Sequence, residues 1–193
     1  GKIPSPPPYR YDEAIFIPGT SEEEENFVFS AVADALACIG FDTGTTHVEV
    51  MVSNGAVSIV EMAGRPGGGR IPSDLIPLAY GTDYLADSIR ISAGLPPTSR
   101  RLFKKASVLH WIKAKPGKLV KIVGIETALS MPGVVEVNLS AKQGTEIPQV
   151  VDCVTRDKIG YVITTGDTLE QAMERARTAA SEIHLETWPC CDT

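Results

Sequence analysis

No apolar run in this 193-residue sequence approaches the roughly 20 residues a helix needs to cross a bilayer. No signal-peptide pattern opens it either, so a cytoplasmic protein without a membrane partner is expected. Excess basic charge is missing as well. The formal charge is −6, whereas proteins whose main task is binding a phosphate backbone present a basic face; nucleic acid is not an expected partner. The four cysteines, Cys38, Cys153, Cys190 and Cys191, make no pair of CxxC spacings, which leaves a structural zinc site without support. Cys190 and Cys191 are adjacent and could be reactive thiols, but incidental reduced cysteines of a reducing cytosol are the favoured reading. There is no internal repeat. What is present, 43% hydrophobic and 22% charged residues, is an ordinary globular composition, long enough for one domain or two small ones.

The first eleven residues, GKIPSPPPYRY, hold too much proline for a regular helix or a central strand and are expected to run extended over the surface. DEAIFIPG then reads as a short strand ending at Pro18-Gly19. SEEEENFVFSAVADALACIGF carries the strongest helical signal, with Phe27, Val28, Ala31, Val32, Ala35, Leu36 and Ile39 at helical spacing. Ser21 and Glu24 have the spacing of a capping box, and Gly40 supplies a stop. The acids Glu22 to Glu25 complement the positive end of that helix and read as structural rather than metal-binding. Residues 73–97, SDLIPLAYGTDYLADSIRISAGLPP, read as a helix with Leu85, Ile89 and Ala93 along one face.

From about Arg100 the pattern changes to short β-rich runs: ASVLHWI, KLVKIVG, GVVEVNLS, QVVDCVT and IGYVITTG. They are separated by turns such as Lys115-Pro116-Gly117 and Met131-Pro132-Gly133. DTLEQAMERARTAASEIHLE is a last amphipathic helix, with Thr168 as cap and Gln171 three residues on. The expected fold class is α+β. An extended segment spans 1–11, an α+β part built on an antiparallel hairpin spans 12–99, and a small antiparallel β-rich lobe with one covering helix spans 100–193. Edge strands of that lobe could pair across a homodimer.

The chemistry is concentrated in HVEVMVSNGAVSIVEMAGRPGGGRIP, residues 47–72. Two apolar runs flank Asn54-Gly55, the signature of a β-hairpin, yet each run carries an acid, Glu49 and Glu61. Two registers are open. A two-residue turn pairs Ser53 with Ala56 and Glu49 with Val60, which gathers Val48, Val50, Val52, Val57 and Ile59 on one face but points the acids opposite ways. A three-residue loop, Ser53-Asn54-Gly55, pairs Glu49 with Ile59 and His47 with Glu61, and both acids then share a face. Acids so placed repel unless something positive lies between them: a divalent cation such as Mg²⁺, or separate Arg and Lys partners. On spacing alone the separate ion pairs are the commoner outcome.

The order Gly44, His47, Glu49, hairpin, Glu61, Arg65 resembles the end of the ATP-grasp domain. The resemblance continues through GTDYLADSIRISAGLPP and includes the preceding ALACIGFDTG. YVITTGDTLEQAMERA is similar to the C-terminal lobe of biotin carboxylase-like and amino-acid-ligase-like members, so the likeness runs over about residues 12–187. It implies that Glu49 and Glu61 ligate Mg²⁺ (or Mn²⁺) bridging the phosphates of ATP, and hence that the longer loop forms. Arg65 would hold the substrate carboxylate or the acyl phosphate made from it, as a bidentate guanidinium can. Gly67, Gly68 and Gly69 would let backbone N–H groups approach the same anion. His47, on the face of Glu49, would line the nucleotide site or simply be a satisfied core histidine.

Three departures qualify the match. Ala63 stands where many members have Asn. Gly68, Gly69 and Arg70 stand where biotin carboxylase has a catalytic Glu, which counts against bicarbonate chemistry. Nothing before Asp12 offers the upstream lobes, phosphate-binding lysines or glycine-rich flap of a complete enzyme. The expectation is therefore the C-terminal part of a longer ATP-dependent carboxylate–amine ligase, inactive alone and completed by upstream lobes of the same protein, with ATP, a small carboxylate and an amine as its substrates. The alternative is a non-catalytic module of the same descent that serves binding or assembly.

Overall fold

The computed structural model describes residues 1–189, so Cys190 and Cys191 lie outside the described residues. The chain divides into two units, one of residues 19–104 and one of residues 1–18 together with those from 105 onward. In chain order, β1 (Lys2–Pro4) and β2 (Asp12–Ile17) come first. The 19–104 unit follows, with α1 (Glu22–Cys38), β3 (His47–Ser53), β4 (Ala56–Ala63), a π-helical turn at Ile71–Leu75 leading into α2 (Ile76–Tyr80), and α3 (Tyr84–Ser92). The rest is β5 (Ala106–Trp111), β6 (Gly117–Val123), α4 (Ile125–Leu129), β7 (Val134–Leu139), β8 (Glu146–Ile147), α5 (Cys153–Arg156), β9 (Gly160–Gly166), α6 (Leu169–Glu182) and β10 (His184–Trp188). The architecture is α+β, and the strand pairs are antiparallel. Among the described residues no helix is long and apolar enough to cross a membrane.

In the discontinuous unit a five-stranded sheet has the order β1-β2-β5-β9-β7, beside a three-stranded sheet β10-β6-β8. β5 and β9 are central, and their apolar runs are buried almost throughout. Val108, Ile112 and Val162 form one cluster with Ala172, Met173, Ala176 and Ala179 of α6. The alanines let the helix lie close. Gly166 lies so close to α6 that a methyl group there would come within 2.7 Å of Ala172 N. The buried hydroxyl of Thr164 at this seam is satisfied, because its Oγ1 donates to Ala172 O at 2.7 Å. Thr168 Oγ1 caps α6 by accepting from Gln171 N at 3.2 Å, while the Gln171 side chain accepts from Asp167 N, one residue before the cap.

Several boundaries differ from those the sequence led us to expect. Residues 12–17, grouped above with the hairpin, form β2 in the other unit, because Ala14 and Ile15 are buried there against β5. QVVDCVT is no strand. Asp152 accepts from Thr155 N at 2.8 Å and starts α5, and that capping geometry overrides the β-branched run. IETAL and HLETW form α4 and β10. The stretch 73–97 is broken at Gly81, which takes the left-handed φ of +69°, and restarts where Asp83 accepts from Ala86 N. Leu85 and Ile89 are exposed on α3, so their face is not a core face among the described residues. α1 has the expected capping box, with Ser21 and Glu24 reciprocally bonded, but none of its residues is buried.

Candidate functional site

Asn54 and Gly55 both have positive φ, +51° and +72°, and Ser53 pairs with Ala56. This is the tight two-residue turn, whose backbone twist suits antiparallel strands. The longer loop that would have brought the acids together does not form. The register nevertheless changes further along. Val52 pairs with Val57 and Val50 with Ile59, but Glu49 pairs with Glu61, so Val60 is an extra residue in β4. A β-bulge of this kind moves everything beyond it to the other face. The hairpin thereby achieves both ends at once: its tip sorts Val50, Val52, Val57 and Ile59 onto one side, and its base sets Glu49 directly opposite Glu61. Directly paired residues share a face with Cβ atoms roughly 5 Å apart.

His47 pairs with Ala63 on that same face, and its Nε2 lies 3.6 Å from Oε1 of Glu49. The side chains of His47 and Glu49 are 23% and 33% exposed, whereas Glu61 is open to solvent. Among the described residues no basic side chain pairs with Glu61. Gly67 packs against the His47 ring. Gly68 has open space around its Cα, and Gly69 takes a φ of +62° that turns the loop into the π-helical entry to α2. Arg65 stays apart from this group: it is exposed, and its guanidinium donates to Pro66 O at 3.0 Å. His47, Glu49, Glu61 and Gly67 are thus brought together, while Arg65, Gly68 and Gly69 follow them on the loop.

Two carboxylates on one half-open face are chemically suited to a hard divalent cation, which takes oxygen ligands and commonly completes its shell with water or phosphate oxygens. Among the described residues no group of three or more His, Cys, Asp and Glu side chains is arranged to hold a metal. A cation here would have two protein ligands and depend on others for the rest.

A second polar cluster in this unit was not foreseen, because Glu25 reads as one more acid in a solvated first turn. Its side chain is only 9% exposed, and it accepts from Arg101 at 2.9 Å and Tyr80 at 3.1 Å, with Lys104 at 3.6 Å. Burial alone would raise its pKa, but the hydrogen bonds from Arg101 and Tyr80 and the charges of Arg101 and Lys104 outweigh it and hold the carboxyl below its ordinary range. Burial first and the Glu25 charge second push the Tyr80 hydroxyl up to about 12. The Arg101 guanidinium also lies over the Tyr80 ring at 4.2 Å. The cluster ties α1, α2 and the 101–104 segment together near the hairpin's own helix.

Residues 110–187 match the family described as L-amino acid ligase C-terminal domain 2. Superposed structures include a phosphoribosylglycinamide synthetase from Anaerococcus prevotii, with a TM-score of 0.82 and 18% identity over 97% of this chain and 48% of that one. Another is an L-amino acid ligase from Bacillus licheniformis, with a TM-score of 0.74 and 18% identity over 96% and 46% of the two chains. The chain shares its fold with about half of each of these two enzymes. A third neighbour is the biotin carboxylase domain of the Hydrogenobacter thermophilus 2-oxoglutarate carboxylase in complex with MgADP, with a TM-score of 0.63 and 19% identity over 91% and 39%. In sequence the chain is 26% identical over 188 residues to the uncharacterized protein y4rH of Sinorhizobium fredii, covering 97% of this chain and 39% of the relative. It is 29% identical over 139 residues to a formate-dependent phosphoribosylglycinamide formyltransferase of Sulfurisphaera tokodaii, covering 72% and 32%. The chain therefore spans less than half of the length of each of these proteins.

Proposed function

We propose that this chain is the C-terminal part of an ATP-dependent carboxylate–amine ligase of the amino-acid-ligase type. The observation that carries the reading is the pairing of Glu49 with Glu61 across the Val60 bulge. A bulge whose effect is to oppose two carboxylates works against sheet stability unless the site receives a cation. Bulges that re-aim side chains recur next to active sites.

In this reading Glu49 and Glu61 hold Mg²⁺ (or Mn²⁺), which supplies charge neutralisation for the phosphates of ATP. Arg65, which needs only to leave Pro66 O to reach an anion, holds the substrate carboxylate and then the acyl phosphate formed from it. Gly67, Gly68 and Gly69 let the backbone come close to the same oxygens. An amine then attacks the acyl carbon, forming the amide and releasing phosphate. These residues orient and neutralise; none of them needs to move a proton. The amino-acid type rests on the family matched at residues 110–187, and the nucleotide on the MgADP complex among the neighbours. Because the chain spans under half of these proteins, the remainder of the nucleotide site belongs to upstream lobes, and the chain alone is inactive.

Replacing Glu61 by Gln in the full-length protein is expected to lower ATP-dependent ligation of amino acids by two or more orders of magnitude, with an unchanged melting temperature. Near-wild-type turnover in that variant would remove the metal role and favour a non-catalytic module.

A further inference from the structure

Gly67 and His47 are packed unusually tightly. A methyl group on Gly67 would lie 2.6 Å from Nδ1 and 3.0 Å from Cε1 of the imidazole, closer than real side chains approach. Backbone conformation does not account for glycine here, because Gly67 is absent from the residues with positive φ, unlike Gly69. What excludes a side chain at position 67 is the ring. Nε2 of the same ring faces Glu49 Oε1 at 3.6 Å, about half an ångström longer than an ordinary hydrogen bond. The residue paired with His47 is Ala63, whose small side chain leaves the imidazole room. One side chain thus touches the glycine loop and one of the two opposed acids.

We propose that His47 is a positioning residue that fixes the Glu49 carboxylate and the start of the glycine loop as one body, and that Gly67 is glycine in order to admit the ring. The proposal rests on the reading of Glu49 and Glu61 as cation ligands. His47 is not itself a ligand in it, consistent with the lack of a three-ligand cluster among the described residues. An imidazole beside a coordinating carboxylate restrains its rotamer, and such outer partners govern metal affinity. The loop that holds the acyl group then shares its anchor with the cation site.

The test is Mn²⁺ affinity, read by electron paramagnetic resonance on the full-length protein with ADP present. The variants are Glu61→Gln, His47→Ala, His47→Gln, Gly67→Ala and the His47→Ala/Gly67→Ala double, each checked by thermal melting. His47→Ala is expected to weaken Mn²⁺ binding about tenfold or more, and His47→Gln, which restores a donor near the Nε2 position, to recover part of that. Gly67→Ala is expected to weaken binding in the wild-type background and to add little once the ring is gone. An equal loss from Gly67→Ala in both backgrounds would overturn the proposal, as would wild-type affinity in both His47 variants. Loss of binding in Glu61→Gln beside intact His47 variants would sink the positioning role alone. Wild-type affinity in Glu61→Gln would sink the cation reading, and the proposal with it.

Discussion

In the discontinuous unit, strands β5 and β9 and helix α6 share an apolar cluster that extends through Leu119 and Ile147 to Ile183. In the 19–104 unit the fully buried apolar side chains are few, Leu75 and Ala79 among them, and α1 has no buried apolar residue. Phe27 and Phe29 on that helix, Ile39 at its C-terminal cap, and Met51, Val52 and Val60 on the hairpin remain largely exposed. The unit that carries the opposed acids is therefore held by caps, a tight turn and the Glu25 cluster rather than by a core. Segments that bind ligands are drawn from the less stable end of a protein's range. Here the better-packed unit and the unit with the opposed acids are different.

That contrast can be broken by core truncation. Leu119→Ala, at a fully buried position, should lower the stability of its unit by about 2–5 kcal/mol in urea titrations. Phe29→Ala, at 59% exposure, should stay within about 0.5 kcal/mol. Equal costs would mean that the helix face is buried in the folded protein in solution. Next in size is Ser21→Ala, which removes half of the capping box and should cost about 1 kcal/mol. Hydrogen exchange should show that loss in α1 amides and leave β5 and β9 protected; a loss spread over both units would erase the distinction.

The smallest effect is in pH. His110, on β5, is largely buried, and burial with the nearby Lys113 and Arg177 charges holds its pKa below 6.5 despite Glu13 and a backbone hydrogen bond. The unfolded chain takes up that proton more readily than the folded one. This stability is therefore complete above pH 6.5 and is lost as pH falls through the folded value, by at most about 1.4 kcal/mol per pH unit. His110→Gln should flatten the profile just below pH 6.5, above the range where carboxylates contribute. An unchanged slope would assign it elsewhere.

Local signals were read well where one short stretch decides the outcome. Ser21 with Glu24 starts α1, Thr168 starts α6, and Asn54-Gly55 turns the hairpin. The bulge at Val60 was not legible, because an extra residue leaves no mark in an alternating pattern and depends on what the face beyond it must hold. The resemblance led to the right face by the wrong loop. β2 was placed with its neighbours in sequence, whereas its partner β5 lies beyond the entire intervening unit. QVVDCVT shows the reverse error: the capping pair Asp152 and Thr155 was present, and the weight given to its valines concealed it.

The pairing of β2 with β5 also bears on how the protein comes to be made. Phe16 meets Val108 only after residues 19–104 have been synthesised, and β5 in turn waits for β9, where Val108 meets Thr164. Contacts so distant along the chain form slowly. During translation β2 can pair with β1, but the edge that β5 covers must stay open while residues 19–104 emerge. The sheet of the better-packed unit is thus completed only after residues 19–104 have been made.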